Sequence, residues 1–192
     1  MSQQRFLDRL SDPGVLIADG ATGTMLQAAG LPAGDAPERW NLENPEAIRD
    51  LHRSYVDAGA DLMLTNTFGG SRVRLQRADL AGKTAEINRA AAQLAREVAG
   101  DQAFVMGDLG PTGEMLAPLG TLTTEDAVAA FAEQAGALAE GGADAILIET
   151  MSDLNEAKAA VEGAKQATGL HVLVTMSFDT KGRTMMGVKT KQ

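Results

Sequence analysis

The chain has 192 residues, of which 44% are hydrophobic and 22% are charged, and these values are ordinary for a soluble globular protein with a single core. Its formal net charge of -9 argues against binding to nucleic acid or to an anionic membrane and favours small-molecule partners. There is no cysteine, no apolar run that could span a membrane and no apolar core of a signal peptide, so we expect a cytoplasmic protein without disulfides or thiolate metal sites in this sequence.

Five apolar segments predict strands, and segments with helical periodicity lie between them. The first predicted strand, residues 15–18, leads into Asp19-Gly20-Ala21-Thr22-Gly23, which we interpret as a functional loop. Asn44-Pro45-Glu46 predicts a helix start, because a capping side chain precedes proline at the first helical position, and Gly59 predicts the end of that helix. The other predicted strands are 61–68, 104–109, 145–148 and 171–178, and the other predicted helices are 24–29, 84–98, 124–139 and 153–167.

The predicted strands are apolar along their whole length, which is typical of a parallel sheet covered by helices on both faces. The repeated order of strand and helix therefore predicts an α/β fold. Gly59-Ala60-Asp61 and Gly142-Ala143-Asp144 each precede a strand that ends in a polar residue and threonine, and this repeat favours a (β/α) barrel. A complete eight-stranded barrel needs about 250 residues. With about five β/α units, the chain is expected to form an incomplete (β/α)8 TIM-type barrel or a smaller open sheet.

A polar residue lies at or near the carboxyl end of each predicted strand, and these residues are Asp19, Asn66, Asp108, Glu149 and Asp179. Parallel strands bring their carboxyl ends together, as expected for a binding or catalytic face. We interpret Asp179 as a turn residue. A carboxylate at the end of a buried strand needs a partner, so we expect Glu149 to meet a ligand ammonium, with a lysine or backbone amides as alternatives. The N–H groups of the loop from Gly20 to Gly23 could hold an anion such as a substrate carboxylate.

Five motifs occur in an order that resembles the homocysteine S-methyltransferase family. They are Asp19-Gly20-Ala21-Thr22-Gly23-Thr24, Pro37-Glu38-Arg39-Trp40-Asn41, Leu64-Thr65-Asn66-Thr67-Phe68, Gly107-Asp108-Leu109-Gly110-Pro111-Thr112-Gly113 and Ile148-Glu149-Thr150. The resemblance covers nearly the whole chain and implies a (β/α)8 barrel that transfers a methyl group to the homocysteine thiol, giving methionine. It also implies that Glu149 binds the homocysteine amino group. The loop of Asp19, Gly20, Ala21 and Thr22 would bind its carboxylate, and Asn66 and Asp108 would line the pocket.

The resemblance further implies a zinc ion, held by three cysteines, that takes the homocysteine sulfur as a thiolate. Those cysteines are absent from this sequence, so no cofactor is expected for this chain alone. We predict one homocysteine-binding barrel domain over residues 1–192, truncated at its C-terminus relative to the family, that could pair with a second copy or with a complementing C-terminal half. The methyl donor stays open between betaine, S-methylmethionine and a methylcobalamin and folate system.

Two other functions stay open. The first is a non-catalytic or vestigial small-molecule-binding protein that lacks the zinc site. The second is an unrelated barrel enzyme, such as an aldolase-like lyase. The absence of a lysine at any predicted strand end counts against the version of that enzyme that forms a Schiff base.

Overall fold

The computed structural model describes residues 2–179 and 181–191. Its strands are β1 (Leu62–Leu64), β2 (Phe104–Leu109), β3 (Ala145–Met151) and β4 (His171–Met176). Its helices are α1 (Ser2–Ser11), α2 (Gly23–Ala28), α3 (Trp40–Glu43), α4 (Pro45–Asp57), α5 (Arg72–Leu75), α6 (Thr84–Ala99), α7 (Thr124–Glu140) and α8 (Leu154–Ala167). Short 3-10 helices occupy Pro37–Arg39, Gln76–Ala78 and Ala81–Lys83.

The strands form a parallel sheet in the order β1-β2-β3-β4. Leu62 pairs with Phe104, Met106 pairs with Ala145, and Ala145 pairs in turn with His171. The helices α6, α7 and α8 connect consecutive strands, so the order along the chain and the order in the sheet agree. This arrangement confirms the predicted alternation of parallel strands and helices.

The predicted first strand at residues 15–18 is wrong in two respects, because the segment is neither a strand nor buried. Ala18 forms a single parallel bridge with Leu62, and the carbonyl oxygen of Ile17 accepts hydrogen bonds from Asp61 N and Leu62 N. Val15 is 80% exposed and Ile17 is 59% exposed. Among the described residues the segment pairs on one side only, so its apolar side chains are left uncovered.

At the opposite edge, β4 is also more exposed than its apolar sequence predicts. Val174 is exposed, and the neighbouring side chains of the strand are half-buried or exposed. In the described part of the chain β4 pairs with β3 alone. The apolar pattern therefore identified the strand correctly but not its environment.

Alternate side chains of the sheet belong to two different hydrophobic clusters. Met63, Val105 and Ile146 pack in the main core with the inner faces of α6, α7 and α8. Phe104 and its alternating neighbours pack instead around Phe6 of α1, whose buried ring lies 5.3 Å from that of Phe104. The helix α1, which covers this second face of the sheet, was not predicted from the sequence.

The predicted long helices are present to within a few residues of their expected ends. Thr123 caps α7 by accepting a hydrogen bond from Asp126 N at 3.0 Å, and Pro45 occupies the first turn of α4 as predicted. Asn44 differs from the prediction, because its side chain makes no capping hydrogen bond. Its backbone N–H instead donates to Trp40 and ends α3. In the described part of the chain no helix is long and apolar enough to cross a bilayer.

Candidate functional site

A cavity of about 700 Å³ lies at the carboxyl ends of the strands. Its lining includes the residues that the sequence analysis selected for a ligand, namely Asp19, Gly20, Ala21, Thr22, Asn66, Asp108 and Glu149. Asp179, which we interpreted as a turn residue, is not part of the lining. The parallel strand order brings these residues together from positions far apart in the sequence.

The carboxyl group of Asp19 is largely buried and accepts one hydrogen bond. Leu64 N donates to its Oδ2 at 3.0 Å, whereas Oδ1 is buried without a partner among the described residues. Burial raises the pKa of Asp19 to about 7, and the negative charge of Glu149 adds a smaller increase. The group is therefore near its titration midpoint at neutral pH, and a cation in the cavity would favour its ionised form.

Asp108 lies within β2 and is only 4% exposed. Two threonines hold its backbone: Asp108 N donates to Thr65 Oγ1 at 3.0 Å, and Thr67 Oγ1 donates to the Asp108 carbonyl oxygen at 2.8 Å. Its own Oδ1 has no partner among the described residues. Burial raises the pKa of Asp108 well above its ordinary value, and the charges of nearby carboxylates raise it further. The carboxyl group of Asp108 therefore favours its neutral form unless a positive charge lies beside it.

Glu149 lies near the end of β3, where the strand becomes irregular. The pairing of β3 with β4 shifts between Ile148 and Met151, and Thr150 has a left-handed φ of 61°. Glu149 makes no hydrogen bond or ion pair with a described residue, so the lysine or backbone amides that the sequence left open as partners are absent there. Burial raises the pKa of Glu149. The carboxylate of Glu149 is therefore free for a partner from outside the described residues.

Asn66 lines the cavity, but its side chain is already engaged with the protein. Its Nδ2 donates to the Pro37 carbonyl oxygen at 2.8 Å and to Asn41 Oδ1 at 2.9 Å. Asn41 Nδ2 in turn donates to the Asn66 carbonyl oxygen at 2.9 Å. Asn66 therefore fastens the segment around Pro37 and Asn41 over the end of β1, and it shapes the cavity wall.

The loop after residues 15–18 lines the cavity with Gly20, Ala21 and Thr22. The N–H groups of Gly20, Ala21 and Thr22 have no acceptor among the described residues. Tyr55 OH donates to the Ala21 carbonyl oxygen at 3.0 Å, which fixes the loop against α4. These free donors follow Asp19 directly in the chain, so hydrogen-bond donors and a carboxyl group adjoin each other in the lining.

Glu38, Phe68 and Arg74 also line the cavity, and none of them was predicted as a site residue from the sequence. Glu38 is buried, and its Oε1 accepts a hydrogen bond from Gly69 N at 2.6 Å. Glu38 and Phe68 belong to motifs that carry the family resemblance, and this was a signal for both. Arg74 belongs to α5, a helix too short for its periodicity to be read from the sequence, and no signal indicated it.

The described residues do not form a metal site. No three His, Asp or Glu side chains among them lie close enough to hold a metal ion, and the sequence contains no cysteine. His52 is buried in α4, with both ring nitrogens unpartnered among the described residues, and burial lowers its pKa to about 4. His171 is exposed at the start of β4, and neither histidine lines the cavity.

Comparison with known sequences shows what the chain is similar to. Residues 16–192 match the family model described as homocysteine S-methyltransferase. Methionine synthase of Mycobacterium leprae is 36% identical over 190 residues and matches 90% of this chain. Methionine synthase of Mycobacterium tuberculosis is 38% identical over 200 residues and matches 94% of this chain. The chain spans only 16% of the length of each of these relatives.

Solved structures of the homocysteine methyltransferase MmuM from Escherichia coli are similar in fold. The metallated form has a TM-score of 0.82 at 23% identity, with 95% of this chain and 70% of that chain covered. The oxidized form has a TM-score of 0.81 at 23% identity, with 94% and 68% covered. This likeness confirms an incomplete (β/α)8 barrel, in which four strands and the bridged segment at residues 15–18 stand in place of the five predicted strands.

Proposed function

The chain belongs to the homocysteine S-methyltransferase family, and from this premise we propose that its cavity binds homocysteine for transfer of a methyl group to the thiol, which gives methionine. The observation that carries the proposal is the presence in one cavity of three carboxyl groups with unused acceptor atoms, those of Asp19, Asp108 and Glu149. Burial raises the pKa of all three groups, so a positive charge placed beside them would favour their ionised forms. An amino acid brings that charge as its ammonium.

The substrate ammonium would bind between Glu149 and the two aspartates. An ammonium group donates hydrogen bonds and accepts none, so it matches a wall that consists of acceptors. It would also lower the cost of ionising Asp19 and Asp108, whose pKa values are raised mainly by burial. A hydrogen bond to a charged group contributes about 1.5–3 kcal/mol, so losing one should weaken binding by roughly 10- to 100-fold.

The substrate carboxylate would bind the free N–H groups of Gly20, Ala21 and Thr22. Because this loop adjoins Asp19, the two charged groups of one α-amino acid can reach both surfaces together. Asn66 would shape the cavity wall through the segment around Pro37 and Asn41 that it holds, without contacting the substrate through its own amide. We also propose that residues 1–192 act as one homocysteine-binding domain.

Zinc, which the family resemblance implies, does not fit the residues of this chain. Three thiolate ligands would be required, but the sequence has no cysteine, and the described residues offer no replacement group of histidines and carboxylates. The contribution that the described residues support is to bind and orient the amino acid.

Calorimetric titration of homocysteine tests the ammonium site in the purified protein and in Glu149→Gln. We expect the variant to bind homocysteine roughly 10- to 100-fold more weakly. Glu162→Gln is the matched control, because Glu162 is an exposed acid on the outer helix α8. The ligand 4-sulfanylbutanoate lacks the ammonium, so its weaker binding should not respond to Glu149→Gln.

Two results would count against the proposal. Equal homocysteine affinity of wild type and Glu149→Gln would show that Glu149 does not bind the substrate ammonium. Failure of the wild type to bind homocysteine would refute the proposed function. Methionine formation from homocysteine, with S-methylmethionine, betaine or methylcobalamin as donor, tests the chemistry separately. Binding without methionine formation would favour the non-catalytic small-molecule-binding alternative.

A further inference from the structure

Arg74 places a guanidinium in the wall of the cavity with most of its hydrogen-bond donors unused. The residue is half-buried on α5, and its Nη1 donates to the Pro111 carbonyl oxygen at 3.4 Å. The guanidinium carbon lies 5.2 Å from the centre of the Phe68 ring, a cation–π geometry that orients its plane. A guanidinium has five N–H donors, and the described residues accept from one of its nitrogens, at a long distance.

The neighbouring arginines of the same segment are paired, which sets Arg74 apart. Arg72 forms an ion pair with Glu133 on α7, and Arg77 forms one with Glu114 at 2.6 Å. Arg74 has no carboxylate within ion-pair distance in the described part of the chain. Glu38 is close enough for the charge of Arg74 to act on it, but its Oε1 accepts from Gly69 N and does not bind the guanidinium.

Gly69 explains how Arg74 comes to lie in this position. A Cβ at residue 69 would lie 2.7 Å from Glu38 Oε1, closer than real Cβ atoms approach such atoms, and 3.0 Å from Arg74 Nε, which is a tight contact. The missing side chain therefore lets the arginine pass over the backbone, with Phe68 beside it. The guanidinium is preorganised on a fixed surface, so little side-chain entropy is lost when it binds a ligand.

We propose that Arg74, lying on Phe68 and over Gly69, forms an anion subsite that binds a carboxylate or phosphate group of a ligand in the cavity. The planar guanidinium fork matches both groups with two parallel hydrogen bonds. The cavity of about 700 Å³ lies in the range of sites for drug-sized ligands, about 300–1,000 Å³, so it has room for a second ligand beside a small amino acid. Which ligand carries the anion rests on the proposed function, whereas the subsite does not.

Inorganic phosphate is the probe, and the Nε–H resonance of Arg74 in ¹⁵N-labelled protein is the readout. We expect phosphate to shift this resonance in a saturable way. Arg74→Gln should weaken phosphate binding at least tenfold, measured from backbone amide shifts around the cavity, and Arg74→Lys should give an intermediate loss because it keeps the charge without the fork. Arg72→Gln is the matched control from the same helix and should leave phosphate binding unchanged.

A second titration with saturating homocysteine distinguishes the sources of the anion. If phosphate still shifts the Arg74 resonance, the subsite serves the anionic group of a second ligand such as the methyl donor. If homocysteine shifts the resonance itself and displaces phosphate, the subsite takes the carboxylate of the amino acid. The proposed subsite would be refuted if phosphate did not shift the Arg74 resonance, or if Arg74→Gln bound phosphate as tightly as wild type. Phosphate binding without homocysteine binding would instead refute the proposed function alone.

Discussion

Substitution of Asp19 by asparagine should change the pH dependence of the free energy of unfolding and should weaken the binding of homocysteine. Burial raises the pKa of Asp19 from 3.8 to about 7, the hydrogen bond from Leu64 N lowers it by less, and the charge of Glu149 raises it slightly. The unfolded chain therefore releases this proton at a lower pH than the folded protein does. The contribution of protonated Asp19 to the free energy of unfolding is fully present below pH 3.8. It is lost as the pH rises through about 7.

The size of the effect follows from the two pKa values of Asp19. Each unit of pKa difference corresponds to about 1.4 kcal/mol, and integration between pH 5 and pH 8 gives a loss of about 3 kcal/mol. Asparagine cannot ionise, so Asp19→Asn should lack this loss. The difference in free energy of unfolding between Asp19→Asn and wild type should therefore shift by about 3 kcal/mol in favour of the variant from pH 5 to pH 8. The affinity of the variant for homocysteine should be lower than that of wild type.

Urea unfolding followed by circular dichroism at pH 5 and pH 8 measures this difference. Comparing the change with pH, and not the absolute stability, removes any fixed cost of placing an amide nitrogen where Oδ1 is now unpartnered. Asp12→Asn is the control, because Asp12 is exposed. Parallel pH profiles for wild type and Asp19→Asn would refute the reasoning, since they would mean that Asp19 titrates alike in the folded and unfolded states.

Two further predictions concern the framework around the site. Burial lowers the pKa of His52 from 6.5 to about 4, so the unfolded chain binds a proton first as the pH falls. The wild type should therefore lose about 3 kcal/mol of stability between pH 7 and pH 4, whereas His52→Leu should not, as measured by urea unfolding at each pH. Phe6 is fully buried against Phe104, so Phe6→Ala should cost about 3–5 kcal/mol. Unfolding with an unchanged midpoint would show that α1 does not contribute to the core.

Much of the fold follows from local signals in the sequence. The boundaries of α6, α7 and α8 could be predicted because each combines an apolar stripe with a capping or stop residue, and these features act within a few residues. The parallel order of β2 and β3 could be predicted because their continuous apolar runs need cover on both faces. Burial was predicted wrongly at residues 15–18 and at β4, where apolar side chains are exposed. An apolar run in the sequence predicts a strand, but it does not indicate which other elements pack against that strand.

The candidate site divides in the same way, for a physical reason. The sequence by itself placed Asp19, Asp108 and Glu149 at one end of the sheet, because parallel strands align their carboxyl ends. Only the tertiary structure decided the environment of each group: that Asp108 Oδ1 is unpartnered, that Asn66 is engaged by Asn41, and that Arg74 reaches the cavity unpaired. Burial, pairing and charge depend on neighbours distant in the chain, so no local pattern records them.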